Sequence, residues 1–578
     1  MVEGQYAHVG NNYTATFHDE SLRNVQPAYE LTTLAWARSH AEDANVRPAN
    51  VVELTGTYLL PGILHGDHAL TFGFKYRNDL AYRETTWGGD AIARFMNGTP
   101  AQAQIWRPSK GEYGLHNRSF YVQDSYTRQR VTITAGFRFD HQHDYGNAAT
   151  VPAHPFYGQP TYAGAYGEGT YTGQPFNQLP AISFGGADPD VAFNTVSPRA
   201  GVSVDLTGTG HAVLKFYFAR YAGQLGAGSG PIAMVYNPVA PTSVMYPWVD
   251  LNHDRFIQAN EVVLTAVPLS WTSGYDYNNP SKMTTSGTVD PKLSADHATE
   301  IIVGVEKLLM PEFSVSASYI WRRYDNARWN DWTDWTSADY LAVAYQPTGC
   351  PSGARCDAVT YYNPARPVPV AYVLTNQPDF WRGYQGFELA ARKRLSSGWM
   401  LNASFSYNDA RVHYDSERAY EDPTNIENLN NAQYAPSYPT STGLPDVYVN
   451  ARWIFRVSGS YRTPFWGINL AGFFDSRSGY PFIANIQTPS RPNGGGISYV
   501  YLDKLGDNRL AALRTLDFRI DRSFTFGRLK LVPAMDVFNL LNANTPLSVR
   551  PVQNAPNANL VRSILPPRVI RFGLRAEW

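Results

Sequence analysis

The sequence predicts an all-β protein, a transmembrane antiparallel β-barrel with about sixteen strands in this chain. The first observation is the final strand, where apolar residues alternate with charged residues or glycine. One face of this strand carries Ile570, Phe572, Leu574, Ala576 and Trp578, and the other carries Arg571, Gly573, Arg575 and Glu577. This period of two places one face in lipid and the other in water. The same alternation recurs along the chain, and no apolar run approaches the ~20 residues of a membrane helix.

The composition agrees with this fold class. A chain of 578 residues is too long for one ordinary soluble domain. Its mean hydropathy of −0.34 is low, but a membrane barrel needs only every second residue apolar. The 38 Tyr and 14 Trp suit interfacial girdles and binding loops. The net charge of −1 argues against a nucleic-acid partner.

Pairs of alternating strands joined by tight turns follow one another along the chain. A first strand is expected near residues 3–11, and the terminal strand closes the series. The pairs between them are 52–58 with 69–75, 120–126 with 131–140, 201–205 with 214–218, 300–308 with 313–321, 387–394 with 401–407, 455–461 with 468–473, and 516–521 with 529–537. We expect the first pair to turn at Pro61-Gly62. The resulting even number of strands is what such barrels require.

Long polar loops separate these hairpins. They cover about 142–195, 222–297, 324–380, 411–446 and 478–510, within one barrel domain spanning 1–578. Structureless loops of that length count against a compact soluble domain. Short periplasmic turns on one side and long extracellular loops on the other are typical of outer-membrane barrels.

A soluble β-sandwich or propeller is the alternative that alternating strands leave open. Those folds bury their apolar faces, so Val, Ile and Leu should dominate. Here Phe, Tyr and Trp crowd the strand ends, and the opposite face carries Arg138, Lys215, Arg519 and Asp521. We expect such charges to form ion pairs in a polar lumen, with Asp517 and Asp521 pairing with Arg519, Arg571 and Arg575.

Several short motifs, in order, resemble one family. They are Ser119 to Tyr126 followed by Thr132 to Asp140, Ser197 to Val202, Ser458 to Tyr461, Ser478 to Phe482, and Asp536 to Asn542. Together they resemble the TonB-dependent receptors, in particular the Oar-like branch, over about residues 50–578. The ending, with Phe572, Gly573, Leu574 and Trp578, resembles the signal that the barrel assembly machinery recognises.

The resemblance implies a 22-stranded barrel around a plug domain, preceded by a signal peptide and a box that the TonB complex grips. Residues 1–6 show no basic region followed by an apolar core, so we expect the plug, the signal peptide and some strands to be missing from this chain. Energy-coupled uptake depends on those parts, so TonB would act only through the missing N-terminal region.

Two cysteines, Cys350 and Cys356, enclose a turn-rich segment. A zinc site would require further ligands nearby and a CxxC spacing. We expect a small local disulfide in an oxidising compartment, with two free surface thiols as the alternative.

The spacing from Asp250 to Glu261 predicts a calcium-binding loop, in competition with one alternative. Carboxylate and amide oxygens occupy positions 1, 3, 5, 9 and 12 of an EF-hand-type loop, and a backbone carbonyl is available at position 7. The residues are Asp250, Asn252, Asp254, Gln258 and Glu261, with Phe256 at position 7. Arg255 stands where the sharp turn prefers glycine. The alternative is a solvated acidic loop.

No nucleophile elbow, His-Glu-x-x-His motif or phosphate-binding glycine loop occurs, so we expect a protein that is not an enzyme. His141 and His143 follow the end of a predicted strand and are better explained as a solvated pair than as metal ligands. Two functions remain open. One is a barrel embedded in outer-membrane lipid that binds and imports a large nutrient, whether sugar, peptide or siderophore. The other is a plugless passive pore or a surface adhesin.

Overall fold

The computed structural model describes residues 1–226, 232–239, 241–272, 275–282, 285, 287–369, 371–429 and 451–578. Parts of the predicted loops 222–297, 324–380 and 411–446 therefore lie outside the described residues. One antiparallel sheet, the barrel sheet, contains nineteen strands. They are Val2–Val9, Asn12–Ala15, Ala41–Val46, Ala49–Ile63, Gly66–Trp87, Ser109–Arg128, Val131–Gly146, Ala192–Asp205, Ala212–Ala222, His297–Met310, Phe313–Asp325, Phe380–Ser396, Trp399–Tyr414, Trp453–Arg462, Ile468–Arg477, Leu513–Arg522, Phe524–Phe526, Leu529–Phe538 and Val569–Glu577.

Nineteen strands occupy sixteen positions, because three positions each contain two successive strands. Val2–Val9 and Asn12–Ala15 share one, since they pair with the two successive strands of the next position. Those two strands, Ala49–Ile63 and Ala41–Val46, both pair with Gly66–Trp87. The third shared position contains Leu513–Arg522 and Phe524–Phe526, which both pair with Leu529–Phe538. The predicted all-β fold with about sixteen strands is confirmed.

The register places the apolar side chains on one face. Phe120 pairs with Phe74 on one neighbouring strand and with Phe139 on the other. All three are more than a third exposed, although they are large and apolar. In a membrane barrel this outer face contacts lipid.

The inner face carries ion pairs. Arg519 lies 2.9 Å from Asp521 and 3.1 Å from Asp536, and Arg571 lies 2.9 Å from Asp536. Asp517 instead accepts the backbone N–H of Asn539 at 2.8 Å. The lumen is therefore polar and largely self-neutralised near the last strands.

The first turn differs from the prediction at Pro61-Gly62. Strand Ala49–Ile63 runs past Pro61, and the chain turns at Leu64 and His65, with φ of 53° and 63°. The register is irregular between Leu60 and Ile63, so Pro61 has no regular ladder partner there and its missing N–H costs little.

The connections contain structure of their own, which the prediction of structureless loops missed. A six-stranded sheet, the loop sheet, runs in the order Ser270–Trp271, Thr242–Pro247, Thr99–Arg107, Ala91–Met96, Ala28–Glu30 and Ala35–Ala37. The remaining strands are Gly287–Val289, Tyr372–Asn376 and Arg328–Trp332 in one sheet, and the pairs Ala149–Val151 with Ile182–Phe184, Ala163–Tyr166 with Gly169–Thr172, Tyr340–Tyr345 with Val359–Pro364, Asn485–Gln487 with Tyr499–Tyr501, and Pro546–Val549 with Val561–Ile564.

Helical segments are short. The 3-10 turns are Glu20–Asn24, Gly88–Asp90, Ile232–Tyr236, Ala259–Glu261, Ser337–Asp339, Glu417–Ala419 and Pro423–Asn425, and the α-helical turn is Ile426–Leu429. Among the described residues, no helix has both the length and the apolar character needed to cross a membrane.

Candidate ligand-binding site on the extracellular loops

The loop sheet packs one face onto a core of its own. Alternate residues of Ala91–Met96 and Thr99–Arg107 point into this core, which is why such short strands hold together. Its buried members are Ala91, Ala93, Phe95, Ala103, Ile105, Phe176, Leu179, Val244, Tyr246, Trp248, Ile257 and Val262. Residues from three separate connections thus form one hydrophobic cluster beyond the barrel strands. The cluster gives the opposite face of the sheet a firm support.

That opposite face is polar and aromatic. We call it the Arg94 face, formed by Tyr29, Arg94, Gln102, Gln104 and Trp106. The register aligns Arg94 with Tyr29 on one side and with Gln102 on the other. Arg94 Nη1 donates to Gln102 Oε1 at 3.4 Å, and its guanidinium lies 5.3 Å from the Tyr29 ring centre. Its side chain is therefore held by weak contacts only.

Arg94 carries a charge that nothing nearby neutralises. No carboxylate forms an ion pair with it among the described residues, and its Nε is buried without a hydrogen-bond partner. Burial lowers the pKa of the Arg94 guanidinium from its usual value. A half-buried cation without a counter-charge is costly, so a ligand carboxylate or phosphate at this position would be stabilising.

An aromatic ladder borders the Arg94 face. Trp36 stacks on Trp87 with ring centres 6.1 Å apart, and Trp87 stacks on Trp106 at 5.4 Å. His40 packs between Trp36 and Trp87, at 4.9 and 5.0 Å. Trp36 is 47% exposed, and Trp106 Nε1 is buried without a partner. The exposed ring of Trp36, supported by the rings behind it, suits flat or ring-shaped ligands.

The segment after Ala222 packs against the inner face of the barrel. Gln142 Oε1 accepts the N–H of Leu225 at 2.8 Å, and Asn237 donates to the Tyr113 hydroxyl at 2.7 Å. The buried Asp144 carboxylate accepts the N–H of Ile232. A cluster of Ala81, Leu115, Val191, Phe193, Leu225, Ile232, Val289, Leu293 and Ala295 forms around these contacts. This loop therefore narrows the extracellular mouth of the lumen.

A polar cavity of about 320 Å³ lies against the inner wall near this segment. Its lining includes Lys75, Arg77, Arg138, Asp140 and Arg199. Arg138 is paired with Asp140 at 2.8 Å. Lys75 lies 3.2 Å from Glu53 and Arg77 lies 2.7 Å from Asp79, so most of the cations in this lining are neutralised by neighbouring carboxylates. The space therefore suits polar solutes without selecting for one sign of charge.

The predicted calcium loop folds into a compact turn beside the loop-sheet core. Asp250 Oδ2 accepts the N–H of Arg255 at 3.1 Å, and Asn252 Oδ1 accepts that of Asp254 at 3.0 Å. Asp254 Oδ1 accepts the N–H of Phe256 at 2.7 Å. Arg255 adopts φ of 66°, the left-handed conformation for which glycine is preferred.

The acidic ends of this loop are placed differently from each other. Asp250 Oδ1 is buried without a hydrogen-bond partner. Glu261 is 1% exposed, and its carboxylate accepts N–H bonds from Leu251, Gln258 and Trp248 at 2.8, 3.2 and 3.3 Å. Among the described residues, no three or more His, Cys, Asp or Glu side chains form a group that could hold a metal ion. The turn thus has one oxygen without a hydrogen-bond partner, Asp250 Oδ1, while the Glu261 carboxylate accepts three N–H bonds.

The other predicted residues lie apart from this site. Cys350 and Cys356 form a disulfide with Cα atoms 6.0 Å apart. Between them, Arg355 reaches Asp503 at 2.8 Å and its N–H donates to Gln553 at 3.0 Å, so the small ring ties separate loops together. Phe572, Leu574 and Trp578 point outward with Gly573 between them.

His141 and His143 differ from the prediction, because strand Val131–Gly146 extends past both. His141 hydrogen-bonds Asn194 at 2.8 Å, and His143 lies 3.1 Å from Asp188. They project from the barrel strand rather than from a solvated loop.

Sequence reasoning missed the Arg94 face. The alternation in Ala91-Ile92-Ala93-Arg94-Phe95 and Ala101-Gln102-Ala103-Gln104-Ile105-Trp106 is visible in the sequence. It indicates a hairpin with one small apolar face and one polar face, but the aromatic residues that surround it come from distant segments.

Comparisons with known proteins agree with this architecture. A family model described as an outer membrane β-barrel domain matches residues 6–479. The fold is similar to that of the outer membrane transporter YddB from Escherichia coli, with a TM-score of 0.54 at 12% identity, covering 100% of this chain and 60% of YddB. The ferripyoverdine receptor of the outer membrane of Pseudomonas aeruginosa matches with a TM-score of 0.49 at 10% identity, covering 100% of this chain and 54% of the receptor. At these identities the likeness concerns the fold alone. No curated protein matches the sequence.

Proposed function

We infer that this chain, which belongs to the outer membrane β-barrel domain family and lies in the bacterial outer membrane, is the barrel portion of a receptor that imports a large nutrient. In the full-length protein the energy would come from TonB. The chain spans 60% of the length of YddB, so a plug and the TonB contact would belong to the rest of the protein. The Oar-like branch remains part of this proposal, on the motifs described above.

The Arg94 face is the observation that supports a receptor best. It combines an unneutralised guanidinium, two glutamine amides and stacked indole rings on a rigid sheet outside the barrel. A passive pore has no need for such a surface. A ligand with an acidic group and a flat or sugar-like ring would pair with Arg94 and stack on Trp36.

The inward-packed segment supports import as the second step. It is held to the barrel wall by hydrogen bonds that it donates to Gln142, Asp144 and Tyr113, rather than by a covalent link. A ligand bound outside would therefore enter past a loop that can exchange these bonds for water, into a lumen whose wall is polar.

Uptake assays test the proposal. Cells that produce the protein should accumulate at least one class among labelled ferric siderophores, acidic oligosaccharides and peptides, and should lose this in a strain without TonB. Arg94→Gln should weaken binding roughly tenfold or more, because a hydrogen bond to a charged group contributes about 1.5–3 kcal/mol. Arg23→Gln, an exposed arginine paired with Glu20, is the matched control. Ion conductance of the full-length protein in planar bilayers, with TonB-independent uptake, would favour the passive pore instead.

We also propose that the loop from Asp250 to Glu261 binds calcium. Its support is the EF-hand-type spacing, the left-handed Arg255 and the buried, partnerless Asp250 Oδ1. Binding requires Glu261 to exchange its N–H bonds for the ion, so we expect weak affinity, on the order of 10⁻⁴–10⁻³ M as in extracellular modules.

Limited proteolysis tests the calcium site. Ordering a loop costs roughly 1–2 kcal/mol per residue, and a bound ion would offset part of this locally. Millimolar calcium should therefore protect the 222–297 loop from cleavage, and Glu261→Gln should reduce that protection while the barrel stays folded. Asp276→Asn, an acid of the same loop outside the motif, should change nothing. Identical cleavage with calcium and with chelator would contradict the proposal.

A further inference from the structure

The outer face of the barrel sheet becomes polar at the level where the long loops begin, and several of its strands place a basic residue there. On five strands an arginine or a histidine lies on this face just above the apolar side chains, whereas Asn194, Thr299 and Gln385 hold the corresponding positions on the strands between them. Two residues nearer the long loops, Arg118 lies above Phe120, His141 above Phe139, and Arg220 above Phe218. Further round, Arg323 follows Trp321, and Arg411 lies two outward positions above Tyr407. We call this band of Arg118, His141, Arg220, Arg323 and Arg411 the basic collar.

Register fixes the side on which the collar lies. Arg118 is the direct cross-strand partner of His141, and His141 is the partner of Asn194. Two residues further along each strand, Phe120 faces Phe139 on the lipid side. Because side chains alternate with a period of two, residues two apart share a face. The collar therefore points out of the barrel, directly above the belt that contacts lipid.

Only part of the collar is neutralised within the protein. Arg323 lies 2.7 Å from Asp325, and Arg411 lies 3.0 Å from Asp409. Arg118 and Arg220, both exposed, form no ion pair among the described residues. The unneutralised charge is thus concentrated on the strands from Ser109–Arg128 to Ala212–Ala222.

An open cleft adjoins this stretch of the collar. It has a volume of about 580 Å³ and is lined by His116, His143, Tyr145 and the loop 185–188. His116 lies two residues above Arg118 on the same face, and Tyr145 stacks on His116 with ring centres 5.3 Å apart. The one carboxylate in its lining, Asp188, contacts His143. A cleft with ring faces, glycine backbone and nearby cations suits a sugar that carries a phosphate.

We propose that Arg118, His141 and Arg220 bind the phosphate groups of a phosphorylated glycolipid in the outer leaflet, with its sugar in the adjoining cleft. The position above the lipid belt, on the side of the long loops, makes a membrane lipid the neighbour of these cations. Basic residues at this level attract anionic headgroups, and arginine binds phosphate through two parallel hydrogen bonds. The site is separate from the Arg94 face and does not depend on what the receptor imports.

The test uses the full-length protein extracted from outer membranes and freed of lipid in detergent. Diphosphoryl lipid A is the probe, and native mass spectrometry measures how much is bound. Arg118→Gln with Arg220→Gln should weaken binding roughly 25-fold, because each arginine at an anionic membrane surface contributes about fivefold. The matching pair of lysine substitutions should restore most of the affinity. Lys215→Gln, on the same strand as Arg220 but facing inward to Glu306, should leave binding unchanged.

Three further results decide the matter. Dephosphorylated lipid A should bind no better to the wild type than to the double glutamine variant. Raised salt should weaken the binding of diphosphoryl lipid A to the wild type. Inorganic phosphate at millimolar concentration should not displace the lipid. Equal binding of the phosphorylated and dephosphorylated lipids, or full affinity in the double variant, would overturn the proposal. Displacement by inorganic phosphate would overturn it in favour of a free-anion site. The heat-dependent shift in gel mobility typical of folded barrels shows whether each variant is folded.

Discussion

Replacing Val303 by arginine should destabilise the barrel by ~2–4 kcal/mol, the cost of a cation on the lipid face near the bilayer midplane. Val303 is 42% exposed and lies between Phe216 and Tyr319 on the neighbouring strands. The polar ends of this outward row are His297 and Lys307. At ~3.3 Å per residue and a tilt of about 40°, they stand roughly 25 Å apart along the membrane normal, which matches the expected apolar belt.

Depth and face provide the controls. Val305→Arg, one outward position further from the middle of the row between His297 and Lys307, should cost less than Val303→Arg, because the penalty falls towards ~0–1 kcal/mol at the interface. Ser316→Arg points inward, opposite Glu306 on the paired strand, and should cost little. The inner face can solvate or pair such a charge, whereas the outer face cannot.

The assay is reversible unfolding of the full-length protein in lipid vesicles, followed by tryptophan fluorescence against guanidinium concentration. The free energies of unfolding should rank Val303→Arg as the least stable, then Val305→Arg, then Ser316→Arg. Equal losses on both faces, or a larger loss at Val305 than at Val303, would refute the assignment of the lipid face.

Two further predictions concern the last strand and the loops. Phe572→Arg should cost ~2–4 kcal/mol if it lies near the midplane, whereas Arg571→Ala should cost little because Asp536 keeps Arg519 at 3.1 Å; vesicle unfolding measures both. Burial lowers the pKa of His154 to about 4 and raises the pKa of Asp90 to about 6. Titration of His154 therefore destabilises the folded loops as the pH falls from ~6.5 to 4, whereas titration of Asp90 stabilises them as the pH falls from ~6 to 4. Proteolysis of the loops should therefore increase on acidification in Asp90→Asn and decrease in His154→Gln, and the same sign in both variants would contradict these pKa values.

The strand faces could be predicted because they depend on neighbours in sequence. A period of two needs only the residues of one strand, so the lipid face of Phe572 and Leu574 was visible before any pairing was known. The lumen charges followed from the same alternation. Arg519 does pair with Asp521, two residues away on the same strand.

The calcium loop was predictable only as a pattern of ligands. The spacing from Asp250 to Glu261 is local, and the turn around Arg255 forms as that spacing suggests. The environment of Glu261 is not local, because it is set by the core around Trp248. Whether the carboxylate faces an ion or backbone N–H groups depends on packing that the spacing does not encode.

The loop architecture required the tertiary structure. The Arg94 face is assembled from residues near Tyr29, Trp87 and Trp106, and its supporting core joins segments far apart in the chain. Gln26 holds Ile257 through two hydrogen bonds, 2.7 and 2.8 Å long, across 231 residues. Alternation determines which way a side chain points from its own strand, since it is a property of the local backbone. It carries no information on which distant segment lies opposite, and that was decided by the burial of apolar residues from separate loops into one core.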